Sequence, residues 1–336
     1  MIKYISIGPV SFRIKSRQWL LIIFSFIVLL VLAIWASSLG SLGLSLKEVI
    51  DGILGLSDKR TIFIVRGLRL PRILSAILVG MAFSLSGMVF QTLLKNPLAS
   101  PDIVGINTGA SAAVVLIIIS GLSSSFIPFV AFVASMLTAL LVYFLSSRDI
   151  INPLKLILVG IGFNALFTAL VNYLLVKGNI HDVNASYRWM VGSLYTSNWN
   201  DIKLLLLVFP LLFLIGIIQR QLRLLQVGSQ TATSIGLAVR RYQLMALILA
   251  SLSSAVAVSV AGPISFVALI VPRISRMLSK AIDIGSLILC ANLGAIMVLV
   301  ADIFVQNVLP EGLPVGTVIA GIGAPYFLYL LIRTKE

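Results

Sequence analysis

The chain has 336 residues, of which 59% are hydrophobic and only 11% are charged, and its mean hydropathy is +1.10. Soluble domains are about 45–50% apolar and about 25% charged, so this composition excludes a soluble globular fold and indicates a membrane protein. The formal net charge of +14 arises from Lys and Arg residues in short gaps between apolar runs, a pattern typical of topology signals that argues against nucleic-acid binding.

Ten apolar runs predict an all-α polytopic protein with about ten transmembrane helices and one membrane domain, residues 1–336. A basic arm, residues 1–18, precedes the first run, which is too long for the core of a signal peptide. The third and eighth runs are short, which favours helices around an internal pathway. The runs begin near Trp19, Pro71, Gly105, Phe126, Leu154, Ile202, Leu244, Ile264, Gly285 and Val315.

An even number of spans places both termini on the same side of the membrane. With the N-terminus in the cytoplasm, the cytoplasmic segments carry 16 of the 25 Lys and Arg residues, in agreement with the positive-inside rule. We therefore expect both termini to be cytoplasmic. Six of the nine outward-facing basic residues lie between Lys47 and Arg72, so that segment needs its own explanation.

Three of those residues, Arg66, Arg69 and Arg72, cluster at the outer end of the second span. Pro71 suits a first helical position and should hold Leu70 extended. Guanidinium groups form bidentate pairs with carboxylates, so the cluster is suited to an acidic partner or an anionic ligand. The alternative is contact with lipid headgroups at the membrane interface.

Small residues at intervals of four, Ala76, Gly80 and Ser84, follow on the second span and predict close approach of another helix. An Asn-Pro-Leu turn at Asn96–Leu98 then feeds the third span, and the same tripeptide recurs at 152–154. Asn and Pro are ordinary turn formers, so two such turns can also occur by chance, without an internal repeat of structure or function.

The longest cytoplasmic gap, residues 219–243, has a small and polar centre between Gly228 and Gly236, followed by Arg240 and Arg241. This pattern predicts one or two short helices outside the membrane that insert into a partner's groove. An ordinary solvated loop is the alternative.

Pro263 and Pro272 bracket a short apolar run and predict a broken span.

Asp302 is the main charged residue within a span. It is therefore either a functional residue or a structural carboxylate paired with backbone donors or an Arg. Glu311 lies in a predicted outer turn. The sequence has no Gly-rich phosphate loop and no metal-ligand set, which excludes that kind of ATPase site and a metal site in this chain.

Several spaced motifs resemble the FecCD-type permease family, which imports ferric siderophores, haem and vitamin B12. The resemblance covers about Ile64 to Ile332. The motifs are Arg69-Leu70-Pro71-Arg72, Val79-Gly80, Ser86-Gly87, Gln91, Asn96 to Pro101, Gly105, Gly109-Ala110, Gly262 to Ile264, Pro272 to Arg276, Ala301-Asp302, Glu311 to Gly316 and Gly323 to Pro325.

The resemblance implies the type II fold of ABC importer permeases, in a bacterial cytoplasmic membrane. It implies a second permease subunit, two cytoplasmic ATPase subunits that use ATP, and an extracytoplasmic substrate-binding protein. No cofactor is expected on this chain. An iron-siderophore complex is the expected cargo, and vitamin B12 or haem is the alternative. An ion-coupled secondary transporter is a distant alternative that would depend on Asp302.

The resemblance also assigns roles to residues. Arg69 and Arg72 would dock the binding protein, and Arg66 would compensate for Gln306, which stands where the family often has Arg. The other assignments are the gate and pathway at Asn96, Leu98, Gln91, Gly80 and Ser84, and ATPase coupling at Gly228, Ala232, Gly236, Arg240 and Arg241.

Overall fold

The computed structural model describes residues 2–7, 10–40, 43–147, 150–280, 282–309 and 312–333. In this part of the chain, sixteen α-helices follow a hairpin that pairs β1 (Ile2–Ile7) with β2 (Val10–Lys15) antiparallel. A π-helix, Phe63–Arg69, joins α3 to α4, and a 3-10 turn, Ser124–Phe126, precedes α6. The helices are α1 (Ser16–Ser38), α2 (Leu46–Leu54), α3 (Lys59–Ile62), α4 (Leu70–Leu93), α5 (Ile106–Ile119), α6 (Ile127–Ser146), α7 (Pro153–Lys177), α8 (Ile180–Val191), α9 (Trp199–Leu205), α10 (Val208–Ile217), α11 (Gln219–Val227), α12 (Ser229–Ser234), α13 (Val239–Ala261), α14 (Val267–Ser279), α15 (Ile284–Val308) and α16 (Val315–Arg333).

The helical class is confirmed, and each predicted span coincides with a helix or, for α9 and α10, with a pair of helices. Among the described residues, seven helical segments are long and apolar enough to cross a membrane, and Ile106–Ile119 and Val315–Tyr329 are shorter apolar helices. The third and eighth spans are short as predicted, since α5 has 14 residues and α14 has 13. The hairpin in the N-terminal arm is a feature that the sequence analysis did not predict.

The second span begins earlier than Pro71. A continuous helical segment runs for 35 residues from Lys59 to Leu93. Leu70 is helical, with φ −59° and ψ −48°, so the prediction of an extended Leu70 was wrong. The helix continues because its turns widen before the proline: the Leu70 N–H donates to the Val65 carbonyl, five residues back, in the π-helical pattern. A wider turn accommodates a residue that has no N–H and a bulky ring.

α4 forms the centre of the molecule, and α13, α14 and α15 pack around it. Gly80 and Gly294 bring α4 and α15 into backbone contact, because a Cβ on either glycine would lie 2.2 Å from the carbonyl oxygen of the other. Ser84 is fully buried one turn further along the same contact. The predicted close approach of another helix to the small-residue stripe is therefore confirmed, and it allows dispersion contacts along two backbones.

Candidate functional site

A cavity of about 810 Å³ lies between α5, α7, α8 and α14, with Phe327 of α16 at its wall. Among the described residues that line it, the polar side chains are neutral except for one carboxylate, that of Asp102. Thr108 and Ser111 project from α5, and Thr168 and Asn172 from α7. A mixture of apolar walls and a few polar groups is typical of a ligand site.

The turn after α4 contributes both predicted gate residues, Asn96 and Leu98, to this cavity. Lys95, two residues after the end of α4, has a left-handed conformation with φ +50°. The Asn96 side-chain oxygen then accepts the Leu98 N–H at 2.9 Å, and the Asn152 oxygen accepts the Leu154 N–H at 3.0 Å in the same way. The repeated tripeptide therefore forms the same side-chain hydrogen bond in two settings: Asn152 caps the start of α7, whereas Asn96 stabilises a turn that lies ten residues before α5.

Gln91 links α4 to α14 at the point where Pro272 interrupts the hydrogen bonds of α14. A proline cannot donate to the carbonyl four residues earlier, which here belongs to Ala268. The Gln91 side-chain amide donates to the Leu269 carbonyl at 2.9 Å and to the Ala268 carbonyl at 3.4 Å. Arg276 donates in turn to the Gln91 side-chain oxygen. Gln91 therefore compensates for the break in the backbone hydrogen bonds.

Gly87, one turn before Gln91, makes this contact possible. A Cβ at Gly87 would lie 1.8 Å from the Ala268 carbonyl oxygen, so only glycine allows the two backbones to approach so closely. Gly80 and Ser84 lie earlier in α4 and face α15. They are buried between two helices of the same chain and are not among the cavity-lining residues, so their position favours a packing role over the assigned place in the pathway.

The predicted break around Pro263 lies between α13 and α14. Gly262 ends α13 with φ +69°, and a Cβ there would lie 2.3 Å from the Trp189 carbonyl oxygen. Pro263 and Phe266 line the cavity, and Phe266 has φ +69°, which is strained for a bulky side chain. The non-helical linker is therefore held against α8 and forms part of the cavity wall.

The three clustered arginines contact three different segments of their own chain. Arg66 is exposed and donates to the Ile53 carbonyl at 2.9 Å. Arg69 is half-buried and donates to the Ser37 carbonyl at 2.7 Å. Arg72 has 18% of its side chain exposed and pairs with Asp302. Arg66 is thus the member of the cluster with the most accessible side chain.

Asp302 is a structural carboxylate of the kind considered in the sequence analysis. Its side chain is 1% exposed and accepts bidentate hydrogen bonds from Arg72, at 2.8 Å from Nη2 and 3.0 Å from Nε. Gln306 donates to the same carboxylate at 2.6 Å. Gln306 therefore supports this ion pair. Glu311 lies outside the described residues.

The stretch between Gly228 and Gly236 forms one short helix, α12, as one of the two interpretations predicted, and a second short helix, α11, precedes Gly228. Gly228 separates them with φ +138°, and Gly236 follows α12 with φ +83° and open space around it. Arg240 and Arg241 are exposed, whereas Ala232 is buried against the body of the protein. A partner can reach Gly236 and the two arginines but not Ala232.

Asp102 is a cavity residue that the sequence analysis did not single out. It lies in the connection between α4 and α5, outside the spanning helices, where its carboxylate accepts a hydrogen bond from Asn107. Burial raises the pKa of the Asp102 carboxyl to about 6, while hydrogen bonds from Asn107 and Ser100 oppose that shift. The sequence did contain a signal for this residue, namely an acidic side chain directly after the Asn96–Pro101 motif.

A sequence model of the FecCD transport family matches residues 26–333. The ferric enterobactin transport system permease protein FepG of Escherichia coli K12 is 35% identical over 309 residues, which cover 91% of this chain and 93% of that protein. The iron(3+)-hydroxamate import system permease protein FhuG of Bacillus subtilis 168 is 35% identical over 322 residues, covering 93% of this chain and 96% of the other.

Among solved structures, the chain is similar to a transporter described as of the metal-chelate ABC type, in an inward-facing conformation. The TM-score is 0.83 and the sequence identity is 28%. The match covers 93% of this chain and 98% of the other. The similarity therefore extends over the whole arrangement of helices and not only over the short motifs.

Proposed function

Because the chain belongs to the FecCD transport family, we propose that it carries a ferric siderophore through an ATP-driven importer in the cytoplasmic membrane. The chain is a permease of an ABC importer, and hence a non-catalytic membrane subunit. The siderophore is the specific part of the proposal. It is supported by relatives named for ferric enterobactin and iron(3+)-hydroxamate transport. Haem and vitamin B12 are the competing cargoes.

The observation that carries this proposal is the cavity bounded by the predicted gate residues. Asn96 and Leu98 lie at its wall together with the broken linker at Pro263. Non-helical backbone at membrane depth is tolerated where it lines a cavity, and such breaks mark substrate sites in transporters. We assign Asn96 and Leu98 to the cytoplasmic gate.

A second permease subunit would complete the pathway. Only 17% of the residues in the most apolar stretch of α7 are buried within this chain, although α7 supplies one wall of the cavity. A helix that leaves so much of its surface uncovered has to contact lipid or another helix. In our proposal a second permease packs beside α7 and closes the cavity from that side.

Two ATPase subunits would bind on the cytoplasmic side, at α11, α12 and the following residues. Gly236, Arg240 and Arg241 are accessible there, and Ile235 is 61% exposed. An exposed apolar side chain beside basic residues is suited to a groove with a charged rim. ATP would be bound by these partner subunits, and both termini of the permease would lie on their side of the membrane.

An extracytoplasmic binding protein would deliver the cargo at the opposite end, near Arg66. Exposed Arg side chains form geometrically specific pairs with carboxylates. Arg66→Glu should weaken binding-protein affinity, with a larger effect at low ionic strength because repulsion is less screened there. Arg60→Glu, also exposed, is the matched control. Unchanged affinity in Arg66→Glu would remove Arg66 from the docking surface.

Ion-coupled transport by this chain alone is disfavoured by the geometry of Asp302. A coupling carboxylate has to exchange its ion during the cycle, whereas Asp302 is held by Arg72 and Gln306. Arg72 would first have to be displaced from a bidentate pair. The ATP-driven mechanism does not need a titrating carboxylate within the spans.

The test is transport by the reconstituted complex of permease, ATPase and binding protein in proteoliposomes. Radiolabelled iron should enter as a siderophore chelate only when ATP reaches the ATPase subunits. Haem and cobalamin are the matched alternative cargoes. Uptake of either one without uptake of any siderophore would reject the cargo, and uptake driven by an ion gradient without ATP would reject the mechanism.

A further inference from the structure

A basic pocket lies between α11 and the C-terminal end of α14, apart from the cavity that Asn96 and Leu98 line. Its volume is about 360 Å³, and none of its lining residues also lines that cavity. Among the described residues, three cations and no carboxylate line it. The lining residues are Arg223, Gln226, Arg276, Lys280 and Ile282. The pocket is therefore a candidate site for an anion.

The positive charges of the basic pocket are not neutralised within the part of the chain that the structure describes. Neither Arg223 nor Lys280 has an ion pair or a side-chain hydrogen bond with a described residue. The nearest acidic residue in the sequence, Asp283, is engaged by Gln18 and by the start of α15. The C-terminus of α14 contributes only about 0.5 of a negative charge. An anion in the pocket would thus meet cations that lack a counter-charge.

Arg276 is held in place at the break of α14. Its Nε donates to the Pro272 carbonyl at 3.4 Å, and its Nη2 donates to the Gln91 side-chain oxygen. A guanidinium has five N–H groups, so three have no partner among the described residues. A planar guanidinium that is fixed in this way is pre-organised for the oxygen atoms of a phosphate group.

α11 adds an amide donor on the side of the basic pocket. Gln219, Arg223 and Gln226 are spaced i, i+4 and i+7, so they lie on one face of this helix. Gln219 is 8% exposed, and its buried Nε2 has no hydrogen-bond partner among the described residues. A buried donor without an acceptor is costly. A ligand rich in acceptor oxygens beside this face would remove that cost.

We propose that the basic pocket binds a phosphate group, supplied by the headgroup of an anionic phospholipid or by free phosphate. Phosphate oxygens are strong acceptors that match the geometry of Arg, and basic pockets between membrane helices on the cytoplasmic side bind lipid headgroups. Val227 of α11 and Met277 of α14 are apolar and 69% and 62% exposed, which favours the lipid as the source. The bound phosphate ties α11 to the end of α14, and so joins the segment 219–243 to the spans whatever the cargo is.

The experiment measures the melting temperature of the purified full-length permease in nanodiscs. One arm replaces part of the phosphatidylcholine, whose phosphate is balanced by choline, with phosphatidylglycerol. The other arm adds inorganic phosphate to phosphatidylcholine nanodiscs, against chloride at equal ionic strength. A rise in the first arm identifies the lipid as the source, and a rise in the second arm alone identifies free phosphate. Native mass spectrometry should then show phosphatidylglycerol retained on the permease in the first case.

Two variants test whether the response comes from the basic pocket. Arg223→Gln and Lys280→Gln each remove one exposed cation and should raise the amount of ligand needed for half of the melting shift about fivefold. Arg276 is left unchanged because it also binds Gln91. Lys155→Gln is the matched control, since it removes an exposed cation at the start of α7, outside the pocket. It should leave the response unchanged.

Three results would overturn the inference. The first is a melting temperature that responds to neither phosphate source. The second is an equal response in Arg223→Gln, Lys280→Gln and Lys155→Gln. The third is an unchanged lipid response in the two pocket variants together with weaker binding of the ATPase in phosphatidylcholine alone, which would assign the cations to carboxylates of the ATPase. Each result leaves siderophore uptake untouched, so the site can fail without the proposed function.

Discussion

Arg72 and Asp302, which are 230 positions apart in the sequence, form a bidentate ion pair between α4 and α15 with an Nη2–Oδ1 distance of 2.8 Å. Breaking a buried ion pair by removing one partner typically costs about 3–5 kcal/mol, and the 18% exposure of Arg72 places Asp302→Ala toward the low end of that range. Asp302→Ala should therefore lower the melting temperature of the purified protein in nanodiscs. The double variant Arg72→Ala with Asp302→Ala should recover part of that loss, because neither charge is then unpaired.

Arg66→Ala is the control for this prediction, since the Arg66 side chain is exposed and its described hydrogen bonds go to a single backbone carbonyl, that of Ile53. It should change the melting temperature little. Equal melting temperatures for Asp302→Ala and the unmodified protein would show that the ion pair does not stabilise the helix contact.

Gly80 should be intolerant of even one added methyl group. Its Cβ would meet the Gly294 carbonyl oxygen at 2.2 Å, so α4 and α15 would have to move apart, and overpacking of this kind costs about 1–3 kcal/mol or more. Gly162→Ala is the matched control, because Gly162 is in helix α7 with no atom within 4 Å of its Cβ. The melting temperature should fall for Gly80→Ala and stay the same or rise for Gly162→Ala. The opposite order would contradict the close contact.

Gly236→Trp should weaken co-purification of the ATPase subunits without preventing membrane insertion. Gly236 has φ +83° and open space around it, so a bulky side chain disturbs the local turn and blocks the partner's approach without a clash inside the permease. Gly121→Trp is the control, since Gly121 also has positive φ, +67°, and open space, but follows α5 in another loop. Normal ATPase binding and uptake by Gly236→Trp would reject the coupling assignment.

Leu98 should approach its counterpart in the second permease when the cytoplasmic gate is closed. Cys290 is the one cysteine of the sequence, so it is first replaced by Ser. In this Cys290→Ser background, Leu98→Cys should form a cross-link between permeases that depends on the nucleotide state of the ATPase. Phe144→Cys, on an exposed part of α6 away from the cavity, is the control and should not cross-link in this way. If Leu98→Cys never cross-links in any nucleotide state, the gate lies elsewhere.

The pH dependence of transport should report the charge of Asp102. Its raised pKa of about 6 means that the carboxyl is protonated and neutral below that pH and ionised above it. In proteoliposomes, the uptake ratio of a positively charged ferric hydroxamate to its neutral N-acetylated derivative should therefore be lower at about pH 5 than at about pH 7.5, because a protonated carboxyl no longer attracts a cation. Tyr187 is the other titratable side chain among the described lining residues. Asp102→Asn should make the ratio independent of pH, and an unchanged pH dependence would assign the effect to another group.

Local patterns in the sequence were sufficient for much of the fold and for some of the site. Apolar runs located every predicted span, because the membrane requires long uncharged helices whatever their neighbours are. The small residues around Gly80 predicted a close helix contact, and the prolines around α14 predicted a broken span. The motif of Asn96 and Leu98 located two residues of the cavity wall.

The sequence alone was less reliable where a local rule competed with the rest of the structure. Pro71 has the features of a helix start, yet the π-helix before it lets the helix continue. Gly80 and Ser84 were assigned to the pathway on resemblance, but their helix is rotated so that they face α15. Hydropathy identifies which helices are buried in the membrane and does not fix their rotation about the axis.

The sequence by itself thus determined the membrane class, the helical spans and the family resemblance, since each depends on composition or on residues close together in the chain. Only the tertiary structure decided that Arg72 meets Asp302 and that Gln91 compensates for the missing N–H of Pro272. It also decided that Asp102 is the charged side chain among the described residues of the cavity wall. These contacts join residues from different helices. They depend on how those helices are rotated and shifted against each other, which is set by the packing of side chains from the whole chain at once.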